Sequence, residues 1–230
     1  MRTIIYGDIH GCLDEFQALR LKLDVRSKDR EISIGDLLDR GPHSCEVVRY
    51  ARENKIELVL GNHEDKYIRH KKYSDKKVNP VVMDEVKSKI FAGLSDEDFE
   101  YLQKASYFMK IDNLTLLHAG ITNAIDLDSA TSKQLKQIIR IRYLNKEHKM
   151  LSLDNHKENH VFWSEVYNGE QGVIVYGHEA FEDVKIDTFS FGIDTGCVYG
   201  NKLTALVIHD TRDPMNNYEI VQVQSRQKRI

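Results

Sequence analysis

The chain has 230 residues, of which 41% are hydrophobic, 9% aromatic and 30% charged; this is the balance of a globular protein with a sizeable core and excludes the disordered and collagen-like classes. Lys and Arg number 33 against 36 Asp and Glu, a formal charge of −3, so bulk attraction to nucleic acid or to an anionic membrane is excluded as a default and any polyanion must be met by local charge. No window approaches the run of about 18 apolar residues that a membrane span needs, Asp8 brings a charge too early for a signal peptide, and Cys12, Cys45 and Cys197 include no CxxC pair; the chain therefore reads as cytoplasmic, with reduced thiols.

Thr3–Tyr6 is a β-branched and aromatic run that stops at Gly7-Asp8, as a buried strand does when it hands its end to a loop. Leu13, Phe16, Leu19 and Leu23 recur at three- and four-residue steps and predict a helix to about Val25. The pattern then repeats. Glu31–Ile34 is a strand ending at Gly35-Asp36, Pro42–Asn54 a helix with Cys45, Val48 and Ala51 inward, and Ile56–Leu60 a strand ending at Gly61-Asn62. Three such units in succession predict an α/β sheet with its functional loops at the C-terminal ends of the strands. From Lys66 to Lys110 the chain reads as mostly helical, with Lys71–Lys77 a solvated face and Ser95 to Asp98 a capping box ahead of Phe99 and Leu102. Tyr107–Ile111 and Leu114–Leu117 predict a hairpin around Asp112-Asn113 that runs into His118-Ala119-Gly120.

The second half is β-rich. The polar stretch Asn145–His160 predicts a loop near the site, its His148, His156 and His160 solvated and not metal-bound. Val173–Tyr176 ends at Gly177-His178 and Phe189–Ile193 ends at Asp194-Thr195-Gly196. Leu203–Ile208 and Tyr218–Val223 are expected to complete a second sheet, with Gly200-Asn201 as a hairpin turn. No repeat and no linker interrupts the chain, which predicts one domain over 1–230.

Chemistry is concentrated where Asp, His and Asn fall. Asp8, His10, Asp36, Asn62, His63, His118 and His178 each sit just beyond an apolar strand, and strand ends converge in α/β sheets. Carboxylate and imidazole groups gathered at one rim, with glycines allowing close backbone approach, make a divalent-metal site. The absence of a cysteine ligand turns the choice from structural zinc toward Mn²⁺, Fe or catalytic Zn²⁺.

The phrases Gly7-Asp-Ile-His-Gly11, Gly35-Asp-Leu-Leu-Asp-Arg-Gly41, Gly61-Asn-His-Glu64, His118-Ala-Gly120, Tyr176-Gly-His178 and Ile193-Asp-Thr-Gly196, in this order, resemble the metallophosphoesterases of the PPP phosphatase superfamily. Flanking text, namely Gly11-Cys12, Arg140-Ile-Arg142, Phe162–Gly169 and Asp194–Gly200 followed by Leu203–Leu206, resembles the bacterial ApaH-like and PrpE-like branch. The resemblance implies a calcineurin-like αββα sandwich of two mixed sheets flanked by helices. It implies two divalent ions, Mn²⁺ foremost with Fe, Zn, Co or Ni as alternatives: Asp8, His10 and His178 on one, Asn62 and His118 on the other, and Asp36 bridging. Water is then the nucleophile, His63 the general acid, Asp39 its orienting partner, and Arg40, Arg140 and Arg142 the phosphate-binding groups.

The implied reaction is symmetrical hydrolysis of diadenosine tetraphosphate, a small-molecule nucleoside polyphosphate, to two ADP. A serine/threonine phosphoprotein phosphatase competes, because the intact Asp39-Arg40 pair fits it; hydrolysis at an RNA 5′ end is a third reading. A non-catalytic scaffold is disfavoured by the full ligand set. Blander readings stand beside these. Arg140 and Arg142 could be ordinary neighbours on a strand or helix, Asp39-Arg40 a local ion pair, Trp163 core, and Cys12 and Cys197 packing.

Overall fold

The computed structural model describes residues 1–151 and 160–229. Its first sheet has β1 (Thr3–Tyr6), β2 (Arg30–Ser33) and β3 (Glu57–Leu58) in parallel, linked through α1 (Leu13–Lys22) and α2 (Ser44–Glu53). After β3 come α3 (Asn62–Lys72), α4 (Glu85–Gly93) and α5 (Asp96–Gln103), so the segment from Lys66 to Gln103 is helical apart from residues 73–84 and 94–95. The start of α5 is capped as its sequence predicts: Asp98 N donates to Ser95 Oγ at 3.2 Å and Ser95 N to Asp98 Oδ2 at 3.1 Å.

The second sheet is ordered β4 (Phe108–Ile111), β5 (Leu114–Leu117), β8 (Val173–Tyr176), β10 (Ser190–Gly192), β9 (Lys185–Asp187), with antiparallel edges around the parallel β5, β8 and β10. Between β5 and β8 lie α6 (Ser132–Ile138) and the two-stranded ribbon of β6 (Tyr143–Leu144) and β7 (Val161–Phe162). His156 lies outside the described residues. His148 lines a groove with Gln134, Gln137 and Lys149.

Two expectations are corrected. The strands β11 (Lys202–Ile208) and β12 (Tyr218–Gln224) belong to the first sheet, with β11 antiparallel to β1 in the register Thr3↔Ile208 to Tyr6↔Ala205. A strand buried as completely as β1 leaves no edge amide to water, and β11 supplies the partners on the side away from β2. Gly200-Asn201 is accordingly not a hairpin turn. Gly200, at φ 85°, ends a 3₁₀ turn over Cys197–Tyr199 that carries the chain from β10 in one sheet to β11 in the other.

Strand alternation builds three apolar layers. Ile5, Ile32, Leu206 and Ile208 of the first sheet meet Leu114, Leu116, Val173, Val175 and Phe191 of the second, between the sheets. Ile4, Tyr6, Ala205 and Val207 point the other way, onto Phe16, Leu19, Val47, Val48 and Phe99 of the helices. Leu117, Ile174 and Tyr176 cover the outer face of the second sheet with Ile138, Phe162 and Trp163. Trp163 is fully buried core; it lies over Gly120, where a Cβ would stand 2.3 Å from its Nε1. No helix among the described residues is long and apolar enough to cross a membrane.

Candidate metal centre

All six residues expected as ligands converge on one rim, at the C-terminal ends of β1, β2, β5 and β8 and the N-terminus of α3. Asp36 is the hub. Its Oδ2 lies 3.5 Å from His10 Nε2 and 3.8 Å from His63 Nε2, while Oδ1 lies 3.3 Å from His118 Nε2. His118 Nε2 is also 3.0 Å from Asn62 Oδ1, and Asp8 Oδ2 is 4.0 Å from His10 Nε2. Two groups of donor atoms share the hub, His10-Asp36-His63 and Asp36-His118-His178, each within 4.8 Å. The His178 ring thus stands with His118, at 5.0 Å between centroids, and not with Asp8 and His10. Asp8 meets His178 through its backbone: His178 N donates to both carboxylate oxygens, at 3.2 and 3.1 Å.

The loops are locked by short-range sterics. Gly177 admits the Asp8 carboxylate, which would stand 2.0 Å from a Cβ there, and Gly61 admits Asp36 Oδ1 at 2.3 Å. His10, Asp36, Asp39, Arg40 and His178 all hold positive φ, between 45° and 69°. Such backbone strain in non-glycine residues persists only where surrounding bonds over-determine it.

Those bonds also set the tautomers. His10 Nδ1 faces Leu38 O at 2.7 Å and His118 Nδ1 faces Ile34 O at 2.8 Å. A carbonyl can only accept, so each Nδ1 carries a proton and each Nε2 is the atom turned toward Asp36. Burial pushes His10 down to about 4, against the pull of Asp36. Burial, with His118 and Arg142 beside it, holds His178 well below the ordinary imidazole range. Burial and the charges of Asp194 and Asp36 push Asp8 well up, whereas the surrounding histidines outweigh burial at Asp36 and keep it ionised.

A second network leads away from Asp36. His63 Nδ1 meets Asp39 Oδ2 at 2.6 Å, and Tyr67 Oη donates to the other oxygen, Oδ1. Burial opposes a charged His63 ring, but Asp36 and Asp39 outweigh it and raise its affinity for a proton. Arg40 reaches the rim with Nη1 3.1 Å from His10 Nε2 and its guanidinium 5.5 Å from the centre of the Tyr199 ring; no carboxylate pairs with it among the described residues.

Residues 1–210 match the model of the calcineurin-like phosphoesterases. The chain belongs to that family. A relative in Bacillus subtilis named bis(5′-nucleosyl)-tetraphosphatase PrpE, asymmetrical, is 30% identical, over 87% of this chain and 88% of its own length. A Vibrio campbellii protein named bis(5′-nucleosyl)-tetraphosphatase, symmetrical, is 26% identical over 90% and 95%. The crystal structure of a candidate diadenosine tetraphosphatase superposes at a TM-score of 0.79, covering 97% of this chain and 93% of that one at 24% identity, and so shares the fold. Like its family, this phosphoesterase is a metal-dependent hydrolase of phosphoric esters or anhydrides.

The donor set fits divalent cations on two observations. His178 Nε2 is buried without a hydrogen-bond partner. His118 Nε2 lies 3.0 Å from Asn62 Oδ1 and 3.3 Å from Asp36 Oδ1, which is the spacing of adjacent ligands on a cation with bonds of about 2.1 Å.

The two distal arginines both have partners within the protein. Arg140 pairs with Asp65 and donates to Lys136 O; Arg142 pairs with Glu179 and donates to His178 O at 2.9 Å. Each guanidinium is thus partly engaged by the protein, although Arg142 Nε is buried without a hydrogen-bond partner, and Arg142 also holds the turn that carries His178. Sequence reasoning also assigned no role to two buried carboxylates. Glu64 accepts from Asp36 N at 2.9 Å and Leu37 N at 2.8 Å, pinning the loop of the hub. Asp194, pushed up to about 6 by burial and the nearby Asp36, accepts from Gly196 N at 2.9 Å. Both lie inside the quoted motifs, in Gly61–Glu64 and Ile193–Gly196, which was the available signal.

Proposed function

We propose that this phosphoesterase hydrolyses dinucleoside tetraphosphates, cutting diadenosine tetraphosphate to two ADP. The observation that carries the reading is the sharing of Asp36 by two groups of imidazole and carboxamide donors, one with His10 and Asp8 beside it, the other with His118, His178 and Asn62. Two divalent ions held there, Mn²⁺ by the mixed oxygen and nitrogen donor set, would neutralise phosphoryl charge and lower the pKa of the attacking water. Asp36 bridges them. His63 turns Nε2 to the rim with Nδ1 held by Asp39, the arrangement of a ring that gives its proton to the leaving oxygen. Arg40, exposed and without a carboxylate partner among the described residues, receives the non-bridging oxygens of the phosphate under attack. Three free cysteines suit a reducing, cytoplasmic setting.

The names of the relatives support a nucleoside polyphosphate as substrate. They differ on the bond. Relatives named asymmetrical favour a second reading, a cut to ATP and AMP. Chromatography of the products from diadenosine tetraphosphate with Mn²⁺ separates the two. ADP alone supports the proposal, ATP with AMP replaces it by the second reading, and no cleavage alongside release of phosphate from phosphoserine or phosphothreonine peptides transfers the site to phosphoproteins.

A further inference from the structure

The fold brings together two cysteines from opposite ends of the chain. Cys12 stands at the N-terminal cap of α1, where its side chain makes no capping hydrogen bond, and Glu15 follows in the first turn of the same helix. Cys197 opens the 3₁₀ turn just after Gly196. All three are buried, at 0%, 1% and 1% exposure. Both sulfurs and a Glu15 carboxylate oxygen lie within 4.8 Å of one another. The carboxylate is half satisfied. Its Oε1 accepts from Arg226 N at 2.8 Å, Gln227 Nε2 at 3.1 Å and Ser225 Oγ at 3.4 Å, whereas Oε2 is buried with no hydrogen-bond partner.

We infer that Cys12, Glu15 and Cys197 form a separate cation site for a thiophilic divalent ion of the Zn²⁺ class. A buried carboxylate oxygen without a donor needs a compensating positive group, and no lysine, arginine or histidine side chain supplies one there among the described residues: Arg226 bonds Glu15 through its backbone and turns its guanidinium to Asp14. The donor set decides the ion. Two sulfurs and one carboxylate oxygen select a borderline-soft cation, while the Asp36 centre, built from oxygen and imidazole nitrogen, accepts harder ones. With bonds of about 2.3 Å to sulfur and about 2.0–2.2 Å to oxygen, tetrahedral ligands stand roughly 3.5–3.8 Å apart, so the cluster closes on an ion through small side-chain shifts. The positive end of α1, ten residues long, favours anionic ligands at this place. The bound ion ties the start of α1, the turn after Asp194 and the chain at residues 225–227 into one knot behind the Asp8–His10 loop. This reading does not depend on the substrate.

The test loads the full chain with Co²⁺ as the probe, under reductant. A sulfur-to-cobalt charge-transfer band in the near ultraviolet is expected, abolished in Cys12→Ser and in Cys197→Ser, retained in Cys45→Ser, and retained in His118→Asn, which damages the Asp36 centre alone. Glu15→Gln, which keeps shape, is expected to weaken Co²⁺ binding at this band by about tenfold or more, and it keeps the test decisive if a cysteine variant does not fold. Absence of the band from folded wild-type protein at saturating Co²⁺, its survival in both cysteine variants, or unchanged affinity in Glu15→Gln would overturn the site. So would a Cys12–Cys197 disulfide found by mass spectrometry in protein isolated without reductant.

Discussion

The loop 36–40 and the segment 140–142 both carry arginines next to the metal centre, and they differ in every physical respect that matters for binding an anion. The loop is strained, with Asp36, Asp39 and Arg40 at φ 53°, 69° and 68°, and is held from behind by Glu64, His63 and Tyr67, so that Arg40 is left at the surface with no carboxylate partner among the described residues. The segment 140–142 has no positive φ, and both guanidiniums are already paired with a carboxylate, Asp65 or Glu179, and donate to a backbone carbonyl. An arginine in reach of a site is available to substrate only if the fold has not already supplied its anion.

The sharpest test of the loop is its hub. Asp36→Asn preserves shape but removes the negative charge proposed to be shared by two cations, so turnover of p-nitrophenyl phosphate with Mn²⁺ is expected to fall by on the order of 10³-fold or more, as several kcal/mol of transition-state stabilisation is lost. Thermal melting should move little. Near-normal rate and metal content would remove Asp36 from the bridge. Next in size is His63→Asn, expected to keep both metals and to slow turnover by about 10²- to 10⁴-fold with poor leaving groups. The loss should shrink with p-nitrophenolate, which needs no proton; equal losses for all leaving groups would contradict a general acid.

Exchanging the two arginine regions one at a time sharpens the contrast. Arg40→Ala is expected to raise KM for every phosphate substrate by about 10- to 100-fold, the worth of one charge-assisted hydrogen bond. Arg142→Ala should leave the KM ratio between diadenosine tetraphosphate and p-nitrophenyl phosphate within about twofold and instead cost roughly 1–3 kcal/mol of stability, because His178 O loses its donor and Glu179 its ion-pair partner. Thermal denaturation and initial rates on both substrates separate these outcomes. A tenfold rise in the ratio would restore segment 140–142 as a second phosphate site.

What the sequence displayed follows the range of the interactions. Each residue of the metal rim is set by its own strand end: an apolar run, a glycine, then the ligand, so Asp8, Asp36, Asn62, His118 and His178 are visible one motif at a time. The capping box at Ser95 is equally local. The partners of Arg140 and Arg142 are not, since Asp65 lies on α3 and Glu179 beyond β8, and nothing near residues 140–142 announces them. The same holds for β11, whose alternation predicts a strand but cannot say that the free edge of β1 will take it, and for His178, whose ring joins His118 while its backbone serves Asp8. Glu64 was hidden by type: a glutamate opening a helix reads as a favourable first-turn charge until the loop amides of Asp36 and Leu37 are seen pointing at it. Cys12 and Cys197, unpaired by spacing, meet only because β11 returns beside β1.

Arg2 and Asp29 supply the mildest test of what an arginine contributes once the fold has fixed its partner. The pair closes at 2.5 Å, with the Asp29 side chain 1% exposed, and Arg2 also donates to Leu23 O at 3.1 Å. The hydrogen bond from Arg2 outweighs burial and lowers Asp29 from 3.8 to about 2. A depressed carboxylate favours the folded state above the unfolded value, near 4, and that advantage disappears as pH falls toward 2. Wild type and Arg2→Ala should therefore differ most in melting temperature above pH 4 and converge between pH 4 and 2. The difference curve matters because buried carboxylates whose affinity for protons is raised, Asp8 and Asp194, act in the opposite sense in both proteins and cancel. A gap that stays constant to pH 2 would mean that Arg2 acts through the backbone carbonyls of Leu23 and Asp24 alone, and that commitment to a carboxylate is not what fixes an arginine in this fold.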